Sequence, residues 1–234
     1  APAVSGTVRA DAVTSGTTTV TGIAIDLKRD GEWTGFSGGA TVKDIPAKAV
    51  GRVKSAGGVT TLELASGQAV IRGLKAVIPE LSTITVANGT TTIQRLVIGV
   101  DSGRATITGT AGKALDIDVA LANLPVAAAN SFSPGLGAAG TVSGTAKVTG
   151  AASAPSVTYD IKASGLGVAA TRDAGIGAIN IASGGTFAAN KLTFNADIGG
   201  GAGLALKGGG SVTTAGTPNL SVDIAGNVPF ELLA

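Results

Sequence analysis

The chain has 234 residues, 44% of them hydrophobic but only 3% aromatic and 14% charged, with 37 glycines and no cysteine, histidine or methionine. Lacking cysteine, it has no disulfide and no thiolate metal site; lacking histidine, it has neither the usual general base nor the commonest nitrogen ligand, so no catalysis, metal or cofactor is expected. Seventeen basic and fifteen acidic residues leave +2, interspersed along the chain; without a basic stripe or aromatic stacking platforms, nucleic-acid binding is not expected.

Apolar surface comes in small aliphatic pieces, which suits a thin layer or a narrow channel rather than a deep core, and the glycine content points to an all-β class. A stretch without charge runs from Val119 to Ala146, but two prolines, four glycines and two asparagines interrupt it, so it is not read as a transmembrane helix. A chain that begins Ala1-Pro2 reads as a processed or excised piece.

In chain order, Gly6 to Val13, Thr19 to Lys28 and Thr34 to Lys43 read as strands separated by Gly, Ser and Asp turns. Ile23, Ile25 and Leu27 share one face, while Trp33 and Phe36 read as an apolar plug at a hairpin. The densest basic run, Lys43, Lys48, Arg52 and Lys54, reads as a solvated face. Ile45 to Val50 reads as an interruption with a short helical turn after Pro46. Val59 to Leu64 and Gln68 to Gly73 continue the sheet until Ile78-Pro79-Glu80 interrupts it again.

Asn88-Gly89 is a two-residue hairpin turn joining Thr83–Ala87 to Thr90–Val100, and Gly103 to Gly109 and Ala114 to Asn123 follow as a meander. Leu115, Ile117, Val119 and Leu121 alternate with Asp116, Asp118, Ala120 and Ala122, the period of a strand with one dry and one wet face. Pro125 ends that ladder, Val126 to Asn130 make a helical turn, and alternation resumes at Gly140.

Residues 87–101 align without gaps on 183–197, matching Gly89, Thr90, Leu96 and Asp101 to identical residues at an offset of 96. Asn123-Leu124-Pro125-Val126 meets Asn227-Val228-Pro229-Phe230 at an offset of 104, the difference being assigned to a longer loop within Gly208 to Pro218. This divides the chain into residues 1–82, a diverged β-repeat region, 83–176, a repeat unit with the Pro125 interruption, and 177–234, the next unit with a helical turn after Pro229. Repeats of this kind stack and cover one another's strand edges. With no amphipathic helix to supply a second layer, the expected fold is an elongated, curved, mostly antiparallel meander whose concave face is a hydrophobic groove.

Asn123-Leu124-Pro125-Val126-Ala127-Ala128, Pro134-Gly135-Leu136, Gly140-Thr141-Val142-Ser143-Gly144, Pro155, Thr158-Tyr159-Asp160-Ile161 and Gly165-Leu166, with Pro229 to Leu233, form an ordered set of degenerate motifs. On these residues the chain resembles the TamB family, the periplasmic component of the translocation and assembly module, among the AsmA-like bridge proteins. The likeness covers residues 84–234 and is diffuse before them. It implies a β-taco that carries phospholipid acyl chains in its groove between the inner and outer membranes of a Gram-negative bacterium, and a link to outer-membrane biogenesis and protein assembly. The parent would be anchored in the inner membrane and meet an outer-membrane β-barrel partner, with that contact outside this fragment.

The groove-lining candidates are Leu96, Ile98, Ile107, Leu115, Ile117, Val119, Leu121, Val142, Val148, Tyr159, Ile161, Leu192, Phe194, Ile198, Leu204, Leu206, Leu220, Val222 and Ile224. Gly135-Leu136-Gly137-Ala138-Ala139-Gly140 fits the dinucleotide-binding fingerprint in spelling only, because a proline precedes it and a strand pattern follows it where a helix is needed. Asp116 and Asp118 with Asp101 resemble a calcium set but read better as a solvated face. The rival reading is a surface-exposed β-solenoid passenger or adhesin with a closed core and no lipid ligand.

Overall fold

A computed structural model of the chain describes residues 4–15, 18–42, 44–71, 73–131, 133–173, 175, 177–214 and 219–228. Two compact units divide between Lys113 and Ala114. Both are all-β antiparallel meanders in which strand order follows chain order, the class expected from the alternation.

In the first unit the strands are β1 (Gly6–Ser15), β2 (Thr18–Asp30), β3 (Trp33–Val42), β4 (Ile45–Ala56), β5 (Val59–Ile71), β6 (Leu74–Ile78), β7 (Ser82–Ala87), β8 (Thr90–Val100) and β9 (Gly103–Ala111). Asn88 and Gly89 both take positive φ, 50° and 71°, the twist that the two-residue turn between β7 and β8 needs. The two strands read from Val59 to Gly73 are one, β5, because a bulge opposite Val50 and Gly51 keeps both halves paired with β4. One half of β5 pairs with β6 and the other with β7, and both of these pair in turn with β8. Residues 74–87 therefore behave as one strand broken at Pro79, which has no N–H for a ladder. Val97 and Ser82, each 1% exposed, flank that break.

Two expectations need correction here. Pro46 is not followed by a helical turn: it is the second residue of β4, paired with Thr41 of β3 before the pairing to β5 begins at Ala47. A proline is accommodated where one side of a strand has no partner. Trp33 and Phe36, read as a joint plug, are three residues apart on one strand and so turn to opposite faces. The Arg52 guanidinium stands 4.4 Å and the Lys54 ammonium 4.9 Å from the Trp33 ring centre, whereas Phe36 lies opposite Gly51.

The second unit contains β10 (Ala114–Pro125), β11 (Ala139–Ala151), β12 (Ala154–Gly167), β13 (Ile179–Ala188), β14 (Lys191–Gly200), β15 (Ala205–Thr213) and β16 (Asn219–Asn227). After Pro125 the chain makes the expected single turn, a 3-10 helix over Val126–Ser131, and a second over Pro134–Leu136 leads into β11. A five-residue helix, α1 (Ala169–Asp173), joins β12 to β13. These pieces are tied together: Asn130 accepts from the Ala138 N–H at 2.7 Å and donates to its carbonyl at 3.0 Å, and Arg172 donates to the Gly137 carbonyl at 2.8 Å.

Gly208 to Thr213, assigned to a loop from their glycine content, are part of β15 and pair along their length with β14 and β16. The segments aligned at an offset of 96 hold different local structure, since Asn88-Gly89 is a hairpin turn and Gly184-Gly185 lies inside β13. At the offset of 104, Asn123 lies near the end of β10 and Asn227 ends β16; Lys43 and the turn expected after Pro229 lie outside the described residues.

Burial is shallow. The chain exposes 13590 Å², whereas a compact protein of this mass exposes about 9,400 Å². Among the described residues, the buried hydrophobic side chains are Val97, Ala138 and Ala163.

Candidate functional site

Residues directly opposite one another in an antiparallel ladder share a face, so the pairings of β10 to β16 convert alternation along each strand into rows across the sheet. One row runs Ile117, Val148, Val157, Phe187, Leu192, Val212, Leu220. The next is Val119, Ala146, Tyr159, Gly185, Phe194, Gly210, Val222, followed by Leu121, Gly144, Ile161, Ser183, Ala196, Gly208, Ile224. Beyond the β10 bulge lies Leu124, Val142, Ala163, Ile181, Ile198, Leu206, Gly226. In these four rows every side chain is apolar or glycine except those of Tyr159 and Ser183.

The opposite face carries the charges. Lys147, at Asp118's ladder position, bonds Asp116 at 2.8 Å and Asp118 at 3.1 Å, and Lys207 faces Asp197 at 3.5 Å. The bonds to Asp116 and then Asp118 hold the Lys147 ammonium above its ordinary pKa. An ammonium between the two carboxylates accounts for that pair without a calcium ion.

The central rows alternate large with absent side chains. β10, β12, β14 and β16 contribute Val119, Tyr159, Phe194 and Val222, whereas β13 and β15 place Gly185 and Gly210 between them. A Cβ at Gly144, where φ is +150°, would run into the Asp160 carbonyl oxygen and come within 2.7 Å of the Ile161 Cα. One at Gly185 would strike the Thr193 carbonyl oxygen and lie 2.8 Å from both the Tyr159 Cε1 and its hydroxyl. The neighbouring backbone thus approaches closely where this face has no side chains, the setting in which glycine bends a sheet.

Within the second unit lies a concavity of about 690 Å³ whose wall takes Ala163, Ile181, Ile198, Leu206 and Gly226 from the last of the four rows, with Lys162, Asn180, Asp197 and Lys207 beside them. The first unit repeats the arrangement on a smaller scale: Ala49, Leu64, Gly67, Ile78, Leu96 and Ile98 line one of about 350 Å³. Both fall in the size range of small-molecule sites.

Of the sequence candidates, Leu115, Ile117, Val119, Leu121, Val142, Val148, Tyr159, Ile161, Leu192, Phe194, Ile198, Leu206, Leu220, Val222 and Ile224 all lie on the second unit's apolar face. Leu96 and Ile107 pair with each other in the first unit, and Ile98 stands beside them. Leu204 lies just outside the ladder, its Cδ2 3.2 Å from where a Gly200 Cβ would be. On β16 the face is open, with Leu220 67% and Ile224 68% exposed. Leu124, Val157, Ile181, Phe187 and Val212 join it although sequence reasoning passed over them. In β13 the intervening Ala182 and Gly184 are themselves small and uncharged, which blurs the alternation of Ile179, Ile181 and Phe187.

Among the described residues no group of three His, Cys, Asp or Glu side chains is placed to hold a metal, and no helix is long and apolar enough to cross a membrane. Compared with protein-family models, curated proteins and solved structures, the chain finds no match in any of the three.

Proposed function

We propose that the apolar face is a trough for the acyl chains of phospholipids and that the chain is a segment of a periplasmic bridge of the TamB type, moving lipid between the inner and outer membranes in support of outer-membrane biogenesis. One observation carries this reading: seven adjacent strands present a concave face that is apolar at almost every ladder position and has no covering layer among the described residues. An uncovered apolar surface of this extent asks for an apolar occupant. Each methylene removed from water gains about 0.8 kcal/mol without directional preference, so rows of similar aliphatic positions hold a chain and let it slide. The resemblance, rather than the geometry, supplies phospholipid as cargo, the periplasm as compartment and a β-barrel as partner of the parent protein.

A closed-core β-solenoid needs parallel coils, whereas the strand pairs within each unit are antiparallel. Site-specific photo-crosslinking in cells, with the chain in its native context, tests the proposal. Probes at Val119 and Ile224 are expected to yield phospholipid adducts, and probes at the neighbouring Asp118 and Asp223, on the charged face, are not. Absence of lipid at all four positions refutes the trough.

A further inference from the structure

Tyr159 and Ser183, the two side chains that break the apolar rows, are neighbours on adjacent strands. Ser183 donates to the Asn195 carbonyl at 2.8 Å, so its hydrogen is committed. The Tyr159 hydroxyl lies 3.5 Å from the Ser183 oxygen, well beyond the 2.5–3.0 Å of an effective O–H···O bond. Its ring reaches across Gly185, where the absence of a Cβ leaves room for it. A half-buried phenol is thus held in the middle of an apolar trough with its donor poorly used, whereas such hydroxyls ordinarily find a partner.

Resting on the trough reading, we infer that Tyr159 is a specificity-determining residue whose O–H donates to the ester carbonyl of an acyl ligand. The acceptor has to be uncharged, because a phosphate drawn onto this face would lose its hydration without gaining a cation. The nearest lysines, Lys147, Lys162 and Lys207, alternate away from the apolar rows in the ladder. Lys162 and Lys207 border the 690 Å³ concavity, which does not include Tyr159, Ser183 or Gly185, and Lys147 and Lys207 are paired with aspartates. Ester carbonyls are the polar atoms that travel with an acyl chain into apolar surroundings. One such donor sets the depth at which the ester end rests while the chain lies along the aliphatic rows.

The test uses the purified chain loaded with diphenylhexatriene, a hydrocarbon probe, and displaces it with monomeric dioctanoyl phosphatidylcholine or its dioctyl ether analogue, which lacks both carbonyls. The diester is expected to displace the probe at about a fivefold lower concentration, the worth of one ordinary hydrogen bond. In Tyr159→Phe, which keeps the ring over Gly185, the two curves are expected to coincide while probe loading is unchanged. Equal potency of the two lipids on the unmodified chain overturns the inference and leaves the trough standing, as does a diester preference that survives in Tyr159→Phe. Failure of both lipids to displace the probe overturns the trough and the inference together.

Discussion

Gly184 and Gly185 are consecutive in β13, turn to opposite faces and are expected to respond oppositely to the same small change. Replacing either with alanine reduces the freedom of the unfolded chain, which stabilises by about 0.4–1 kcal/mol where the native backbone accepts the side chain. At Gly184 it does, since an added Cβ would meet the Asn195 Oδ1 at 3.4 Å and the Tyr159 carbonyl oxygen at 3.5 Å, ordinary contact distances. At Gly185 the new methyl collides with the Thr193 carbonyl oxygen and stands 2.8 Å from the Tyr159 ring and hydroxyl. Tyr159 can swing aside, but Thr193 is held by the ladder between β13 and β14. Overpacking of this kind costs about 1–3 kcal/mol, so Gly185→Ala is expected to be net destabilising by about 1–2 kcal/mol and Gly184→Ala neutral or slightly stabilising. Urea unfolding followed by far-ultraviolet circular dichroism measures both, with unchanged m-values as the check that the unfolding reaction is the same. Hydrogen exchange at the β13 and β14 amides then shows whether the loss is local. Equal midpoints for the two variants would refute the account of the crease at Gly185, and with it the account of why the apolar face is concave.

Asn130→Ala removes both bonds to Ala138, a residue 4% exposed, and leaves its N–H and carbonyl without these partners; a local loss of about 1–3 kcal/mol is expected, read as accelerated hydrogen exchange at Ala138, and unchanged exchange refutes the tether. For Lys147 the folded pKa lies above the unfolded value of 10.5, so the stabilisation from its carboxylate partners is complete below that pH and is lost as pH rises through the higher folded value. An NMR titration of the Lys147 side chain should show a midpoint above 10.5 that falls back in Asp116→Asn and falls less in Asp118→Asn. A midpoint at or below 10.5 in the unmodified chain would contradict the observed pairing.

Much of the fold was legible because strand and turn chemistry is local. Leu115 to Leu121 alternate cleanly with aspartates and alanines, and β10 forms there; Asn88-Gly89 has the backbone that its turn needs, and β7 and β8 flank it. Proline and glycine misled where their effect depends on a neighbour. Pro46 reads as a break, yet it sits at a ladder end where a missing N–H is tolerated; the glycines of β15 read as a loop, yet they are paired on both sides. In β10 the apolar face is plain in the sequence because aspartates and alanines separate its members, whereas in β13 the small, uncharged Ala182 and Gly184 blur the alternation of Ile179, Ile181 and Phe187.

The sequence by itself determined the all-β class, the identity of most strands, the faces of the strongly alternating ones and the interruption after Pro125, because each follows from side-chain period or backbone restriction within a few residues. Only the tertiary structure decided which residues meet across strands. Register places Gly185 between Tyr159 and Phe194, lets the Tyr159 ring lie over it and sets the phenol beside Ser183. Those pairings join residues about ten to thirty positions apart through backbone hydrogen bonds and bulges, which depend on how whole strands dock rather than on any local preference.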